Sequence, residues 1–223
     1  MGTRSSGKPT NPIGSSSRGV RQRLLEGRRR EASDCRRCDL WRHGTQTVFG
    51  EGPVDAELML VGEQPGDVED IEGRPFVGPA GRILREALAQ AGLAGMRCYL
   101  TNAVKHFKWE PRGKRRIHQR PSLSEMIACS HWLETEIAAV RPRVVVALGA
   151  TATRVLLGPA LRVTKDRGRW LRSPLGPDVL VTVHPSSILR VADPDERRAA
   201  MSAFVRDLRK AAVRLRKLGP DST

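Results

Sequence analysis

Four short apolar runs separated by helical patterns constrain this chain more than anything else in it. Leu58-Met59-Leu60-Val61 stops at Gly62, and Cys98-Tyr99-Leu100-Thr101 runs into Asn102. Val144 to Leu148 is closed by Gly149, and Val179 to Val183 ends at His184-Pro185. Continuous apolar runs of this length read as strands buried on both faces. Between them, Ile83, Leu84, Ala87, Leu88 and Ala91 recur at helical spacing within Gly81 to Ala91. Ser122 and Glu125 form a capping-box pattern opening a helix towards Val140, and Pro142 limits it. Ala150 to Leu157 reads as a short helix and Asp195 to Leu218 as a long, basic, amphipathic one. Strands alternating with helices predict an α/β fold, a parallel sheet covered on both faces. Ligands of such sheets collect beyond the carboxyl ends of the strands. Gly62-Glu63-Gln64, Asn102 and His184 all stand at those ends, so one site can gather all three.

The boundaries follow from hydrophobicity. Residues 1–22 are rich in Gly, Ser, Thr, Pro and Arg and read as a disordered basic tail. Residues 23–218 are the folded unit, 219–223 a flexible end, and no internal repeat is found. A formal net charge of +15 favours a polyanionic partner, most simply nucleic acid, against the plainer reading of a high-pI or ribosome-associated protein. No apolar run approaches the ~20 residues of a membrane span, and the N-terminus lacks the apolar core of a signal peptide. The expectation is an intracellular protein, whose four cysteines bind metal or stay free rather than pair.

Five segments carry candidate chemistry. Lys105 to Pro121 holds seven Lys/Arg against the single acid Glu110, with Phe107 and Trp109 interleaved. Pro111, Gly113 and Pro121 punctuate it, so the expectation is a long loop rather than helix or strand. Charge with aromatics points to phosphate contact and base stacking, and Lys114-Arg115-Arg116-Ile117-His118-Gln119 ends its basic run on a histidine. A solvated basic face is the plainer reading.

Cys35-Arg36-Arg37-Cys38 is a CxxC ahead of the first strand, a redox pair, half of a metal site or two incidental thiols; four-ligand sites would need donors from Cys129, Cys98, His106 or His131. Gly62-Glu63-Gln64-Pro65-Gly66-Asp67 is a Gly/Pro loop whose carboxylates argue against phosphate cradling, and no Gly-Lys-Ser/Thr follows. Phe76, on the turn Gly73-Arg74-Pro75-Phe76-Val77-Gly78, can stack on a base or pack in the core. His184-Pro185-Ser186-Ser187-Ile188-Leu189-Arg190 offers a histidine able to donate to a developing oxyanion, though a lone histidine is more often structural.

Taken together and in order, Gly62 to Asp67, Lys105-His106-Phe107-Lys108, Lys114 to Gln119 and His184 to Arg190 resemble the UdgX-type uracil-DNA glycosylases. These form a branch of the uracil-DNA glycosylase superfamily close to the iron–sulfur family 4 enzymes. The resemblance spans roughly residues 30 to 215. It implies a three-layer α/β/α fold with a central four-stranded parallel sheet, a [4Fe-4S] cluster, and excision of uracil from DNA followed by covalent capture of the deoxyribose. By this resemblance His118 captures C1′, with Glu63 or Asp67 orienting it. Gln64, Phe76, Asn102 and His184 bind uracil, His184 stabilising charge on O2. Lys105, Lys108, Lys114, Arg115, Arg116, Ser186 and Arg190 contact DNA, expected to be single-stranded by preference. The cluster ligands are Cys35, Cys38, His106 and Cys129, with His106 standing where family 4 enzymes have a cysteine and Cys98 as its competitor. The protein is expected to be monomeric, without a membrane association, cytoplasmic, and nucleoid-associated through DNA.

Overall fold

The computed structural model describes residues 13–219. Four parallel strands form the expected sheet: β1 (Leu58–Gly62), β2 (Cys98–Asn102), β5 (Val144–Leu148) and β7 (Asp178–Thr182). A fifth, β6 (Trp170–Arg172), adds antiparallel to β7, giving the order β2-β1-β5-β7-β6. This three-residue edge strand has no apolar run of its own, which is why hydrophobic patterning passes over it.

The two central strands β1 and β5 are apolar throughout, yet each divides its residues between two cores with period two. Met59, Val61, Val145 and Ala147 face one side. There they meet α1 (Ile13–Ser33), α4 (Leu123–Val140) and α5 (Ala150–Leu157) through residues such as Leu25, Leu133 and Leu156. Leu58, Leu60, Val144 and Val146 face the other. They pack on α3 (Pro79–Gln90), α7 (Pro185–Leu189) and α8 (Pro194–Leu218) through Leu84, Ile188, Phe204 and Leu208. Two short helices, α2 (Asp67–Glu72) and α6 (Val163–Asp166), complete the set. The capping box at Ser122 and Glu125 is formed in full.

The tail expectation needs correcting, because residues 13–22 form the first half of α1. Low hydrophobicity suggested disorder, but the helix is anchored by few residues. Leu25 and Ala32 are buried, and Arg21 Nη1 donates to the carbonyls of Val54, Ala139 and Val140 at 3.1–3.2 Å. Residues 1–12 and 220–223 lie outside the described residues. Among the described residues no helix is long and apolar enough to cross a membrane.

The segment expected to be a loop is instead a β-hairpin, β3 (Trp109–Arg112) paired antiparallel with β4 (Arg115–His118). Gly113, at φ 59°, supplies the positive φ that a two-residue hairpin turn requires at its first position. The strands are charged rather than alternating apolar and polar, so the Gly-Lys turn was the only local signal of a hairpin.

Candidate functional site

Parallel register brings the strand ends level: Gly62 pairs with Asn102 in β1–β2, and Leu148 with Thr182 in β5–β7. The residues just beyond them open a cleft of about 810 Å³. Glu63, Gln64, Asp67, Phe76, Asn102, His118, Ser186, His184 and Arg190 all line it, so the three strand-end motifs and the hairpin histidine meet in one place. The volume suits a nucleoside-sized ligand.

The floor is shaped by close backbone approaches. A Cβ at Gly62 would stand 2.3 Å from Asn102 Oδ1 and 2.7 Å from Phe76 Cζ, so both side chains lie across that glycine. Phe76 has φ 57°, left-handed backbone that costs a non-glycine residue about 1–2 kcal/mol. It is held there by Arg85 Nη1, which donates to its carbonyl at 2.8 Å, and by Gly81, whose Cβ would sit 1.7 Å from that oxygen. The Phe76 ring stacks near His184, centroids 6.3 Å apart and planes at 28°. Asn102 is 3% exposed, and its side-chain amide has no hydrogen-bond partner among the described residues. A buried amide left open towards a cleft is free to read a base edge.

His184 follows β7 as the N-cap of α7. Its Nδ1 accepts from the Ser186 backbone N–H at 3.2 Å and lies 2.8 Å from Ser186 Oγ, which in turn accepts from Arg190 Nη1 at 3.2 Å. A backbone N–H can only donate, so Nδ1 is the acceptor and the neutral ring carries its proton on Nε2. Burial lowers the pKa of His184 to about 4, with Arg190 and His118 pushing the same way. The neutral ring therefore presents an Nε2–H donor.

Three contacts seat the hairpin. The Gln64 amide is spent on its base: Nε2 donates to the carbonyls of Lys108 (3.1 Å) and Gln119 (3.0 Å), and Oε1 accepts from Lys108 N–H at 3.2 Å. Arg116 Nη1 donates to buried Asp70 at 2.6 Å, its Nε pairs with Asp67, and its guanidinium lies 5.4–5.5 Å from the Phe107 and Trp109 ring centroids. Trp109 Nε1 donates to the His43 carbonyl at 2.8 Å. His118 is thereby carried to the cleft wall with its Nε2 3.4 Å from Glu63 Oε1, while Glu63 Oε2 accepts from Thr151 Oγ1 at 2.6 Å.

These contacts revise several sequence expectations. Gln64 is turned to the hairpin rather than towards a base. Of the two carboxylates offered as partners of His118, Glu63 stands beside it, and Asp67 is taken by Arg116. Lys105 does not face DNA: it is fully buried, with Nζ donating to Glu136 (2.6 Å), Thr101 Oγ1 (2.7 Å) and the Asn102 carbonyl (2.7 Å). Arg116 is committed inward, and half-buried Lys108 pairs with Glu125 at 3.0 Å. Lys114 and Arg115 are exposed at the hairpin turn. Sequence reading missed Arg120, Thr151 and the 42%-exposed Leu189; Arg120 and Leu189 line the cleft. Arg120 was legible only as one more charge in a basic run.

The cysteines divide by face. Cys129 is buried on α4, and Cys35 and Cys38 pack against the same core. Burial pushes the Cys129 thiol up to about 12, opposed by nearby Lys105 and assisted by Cys38 and Cys35, which pack on the same core. Lys105 N–H donates to Cys129 Sγ at 3.2 Å and Trp132 Nε1 to Cys35 Sγ at 3.1 Å. Cys98 packs against the opposite core and is raised to about 11 by burial alone, which removes it as a competing ligand. His106 is buried, its Nε2 2.9 Å from Thr47 Oγ1, and burial lowers its pKa against the pull of Asp70. Among the described residues no three His, Cys, Asp or Glu side chains converge as they would on a single metal ion.

A mostly parallel five-stranded sheet flanked by helices, with a nucleoside-sized cleft at its strand ends, defines the class. The sequence pattern of the Uracil DNA glycosylase superfamily matches residues 49–209. A Type-4 uracil-DNA glycosylase of Thermotoga maritima is 37% identical over 204 residues, 90% of this chain and 99% of the relative. Its counterpart in Sulfurisphaera tokodaii is 36% identical over 173 residues, 74% of this chain and 76% of the relative. A Type-5 uracil-DNA glycosylase of Pyrobaculum aerophilum is 31% identical over 195 residues, 80% of each chain. The chain belongs to the uracil-DNA glycosylase superfamily.

Proposed function

We propose that this protein excises uracil from DNA and is captured on the resulting deoxyribose through His118, as a UdgX-type member of its superfamily. The observation that carries the reading is His118 on the cleft wall, 3.4 Å from the Glu63 carboxylate and facing the same space as Asn102, Phe76 and His184.

The flipped uracil lies between Phe76 and the strand ends, with its edge read by Asn102. The C1′–N1 bond breaks with its electron pair passing to the base, and the charge gathering on O2 is met by the His184 Nε2–H. The sugar is left as an oxocarbenium-like cation. An imidazole nitrogen of His118 supplies the pair that forms a C1′–N bond, and Glu63 is placed to accept the proton the ring must lose. Nothing in the product is a good leaving group, so capture ends the cycle. The supporting DNA contacts are Lys114, Arg115, Ser186 and Arg190, with a single strand preferred because its bases need no unpairing. We take the protein to act as a monomer on DNA in the cytoplasm.

A [4Fe-4S] cluster held by Cys35, Cys38, Cys129 and His106 belongs to the same reading. Three thiols on one face are the right donor type, and a four-iron cluster holds its ligands further apart than a single ion does. With His106 Nε2 beside Thr47, Nδ1 would be its ligating nitrogen. The cluster would be structural, tying the Cys35–Cys38 segment and α4 to the base of the hairpin. Visible absorption with iron and sulfide analysis tests it.

A second reading is favoured by the relatives, which are uracil-DNA glycosylases: ordinary turnover, with water in place of His118 as the nucleophile. Incubation with a uracil-containing single strand and a denaturing gel separates the two. A heat-stable shifted band that His118→Ala abolishes, and that His118→Ser replaces with a free abasic strand, supports capture. Cross-linking by His118→Ala would sink it.

A further inference from the structure

The seven cations of Lys105 to Pro121 are not equivalent once folded. Lys105 is neutralised by Glu136, Lys108 by Glu125, and Arg116 by Asp67 and Asp70. Among the described residues Arg112, Lys114, Arg115 and Arg120 make no ion pair. Arg112 and Arg115 flank the hairpin turn and Lys114 lies in it. Arg120 alone of the four lines the cleft, two residues beyond His118 and exposed. The carboxylates that share the cleft are already engaged: Glu63 with Thr151 and His118, Asp67 with Arg116, and Glu69 with the Gly78 N–H at 2.8 Å. Among the described residues nothing therefore discharges Arg120. Across the cleft, Arg190 stands at the end of α7, its Nη1 on Ser186 Oγ.

We infer that Arg120 is a phosphate anchor that seats the DNA strand beside the reacting nucleotide. The inference rests on the reading of this cleft as a DNA site. A deoxyribose with C1′ turned to His118 carries one phosphate on each side. Arg120 on the hairpin rim and Arg190 on the α7 rim are placed to bracket them. A guanidinium presents paired donors matching two phosphate oxygens, so the contact fixes orientation as well as charge. Arg120 follows His118 closely on the same strand end, so a phosphate held there also sets where the imidazole meets the sugar. The exposed hairpin cations Arg112, Lys114 and Arg115 attract the strand at longer range without setting its register.

The test uses the full chain and a labelled single strand carrying a tetrahydrofuran abasic analogue, which can be neither excised nor captured. Anisotropy titrations over a salt series are run on wild type, Arg120→Gln, Arg120→Lys and Lys217→Gln. Lys217 is a charge-matched control at the opposite end of the strands from the cleft, where Arg143, just ahead of β5, donates to the Leu218 carbonyl at the end of α8. Arg120→Gln is expected to weaken binding about tenfold and to reduce the log–log salt slope by about 0.7, the loss of one phosphate contact on a single strand. Arg120→Lys keeps the slope and loses part of the affinity, and Lys217→Gln keeps both. With a uracil strand, Arg120→Gln raises the half-saturating DNA concentration more than it lowers the saturating single-turnover rate. Wild-type affinity and slope in Arg120→Gln overturn the anchor, as does a wild type that does not bind the strand. Failure of excision or capture would leave these binding results standing and would overturn only the chemistry.

Discussion

Replacing Gln64 with alanine should separate uracil excision from covalent capture. Gln64 makes three hydrogen bonds to the hairpin base, at 3.1, 3.0 and 3.2 Å, and is 6% exposed. At about 1 kcal/mol net for each bond, the hairpin loses roughly 3 kcal/mol of local stability. Because about 1.4 kcal/mol is tenfold in an equilibrium constant, opening of the hairpin becomes on the order of a hundredfold more frequent. The Arg116 pair and the Trp109–His43 bond remain, so the fold and the Asn102–Phe76–His184 pocket should survive. Hydrogen exchange at residues 109–119 reports the opening directly. Single-turnover reactions on a uracil strand, resolved into cross-linked and free abasic product, report its consequence. The cross-linked share should fall and the free abasic share rise, with uracil release slowed less than capture. Unchanged exchange together with an unchanged cross-linked share would refute the assigned part of Gln64.

Three further outcomes follow from the geometry. Gly81→Ala places a methyl 1.7 Å from the Phe76 carbonyl, so Phe76 must move, and excision should fall by orders of magnitude while Arg82→Ala is tolerated; a fully active Gly81→Ala protein would contradict the role given to this turn. Folding depresses the His184 pKa from 6.5 to about 4, so its contribution to stability is complete above about 6.5 and is lost as pH falls towards 4. An NMR titration of this ring should give a midpoint near 4, and one near 6.5 would contradict the burial that depresses it. Cys129→Ser should reduce bound iron and sulfide, whereas Cys98→Ser should leave both at wild-type content; iron loss in Cys98→Ser would reinstate it as a ligand.

How much was legible in the sequence differed by element. The four parallel strands were readable because continuous β-branched and leucine runs have few other uses, and their ends located Glu63, Asn102 and His184 correctly. The hairpin was not, because its cross-strand pairs (Trp109 with His118, Glu110 with Ile117) carry no alternating apolar pattern. Lys105 looked like a DNA contact because its partner, Glu136, lies 31 residues away, and only folding brings them together. The same holds for Arg116, whose two acids sit on α2. A basic run shows charge but not which charges are spent internally. Gln64 was placed correctly in the cleft, but its bonds to the hairpin base were not legible, since an amide reads a base edge and a backbone with the same donors and acceptor.

The central claim is that His118 becomes bonded to the deoxyribose. Intact mass spectrometry under denaturing conditions, after incubation with a short uracil-containing single strand, measures this directly. The expected species has the mass of protein plus oligonucleotide less one free uracil, with the bond mapped to His118 by peptide analysis. Unmodified protein alongside many equivalents of abasic strand would contradict the claim and make this a turnover glycosylase.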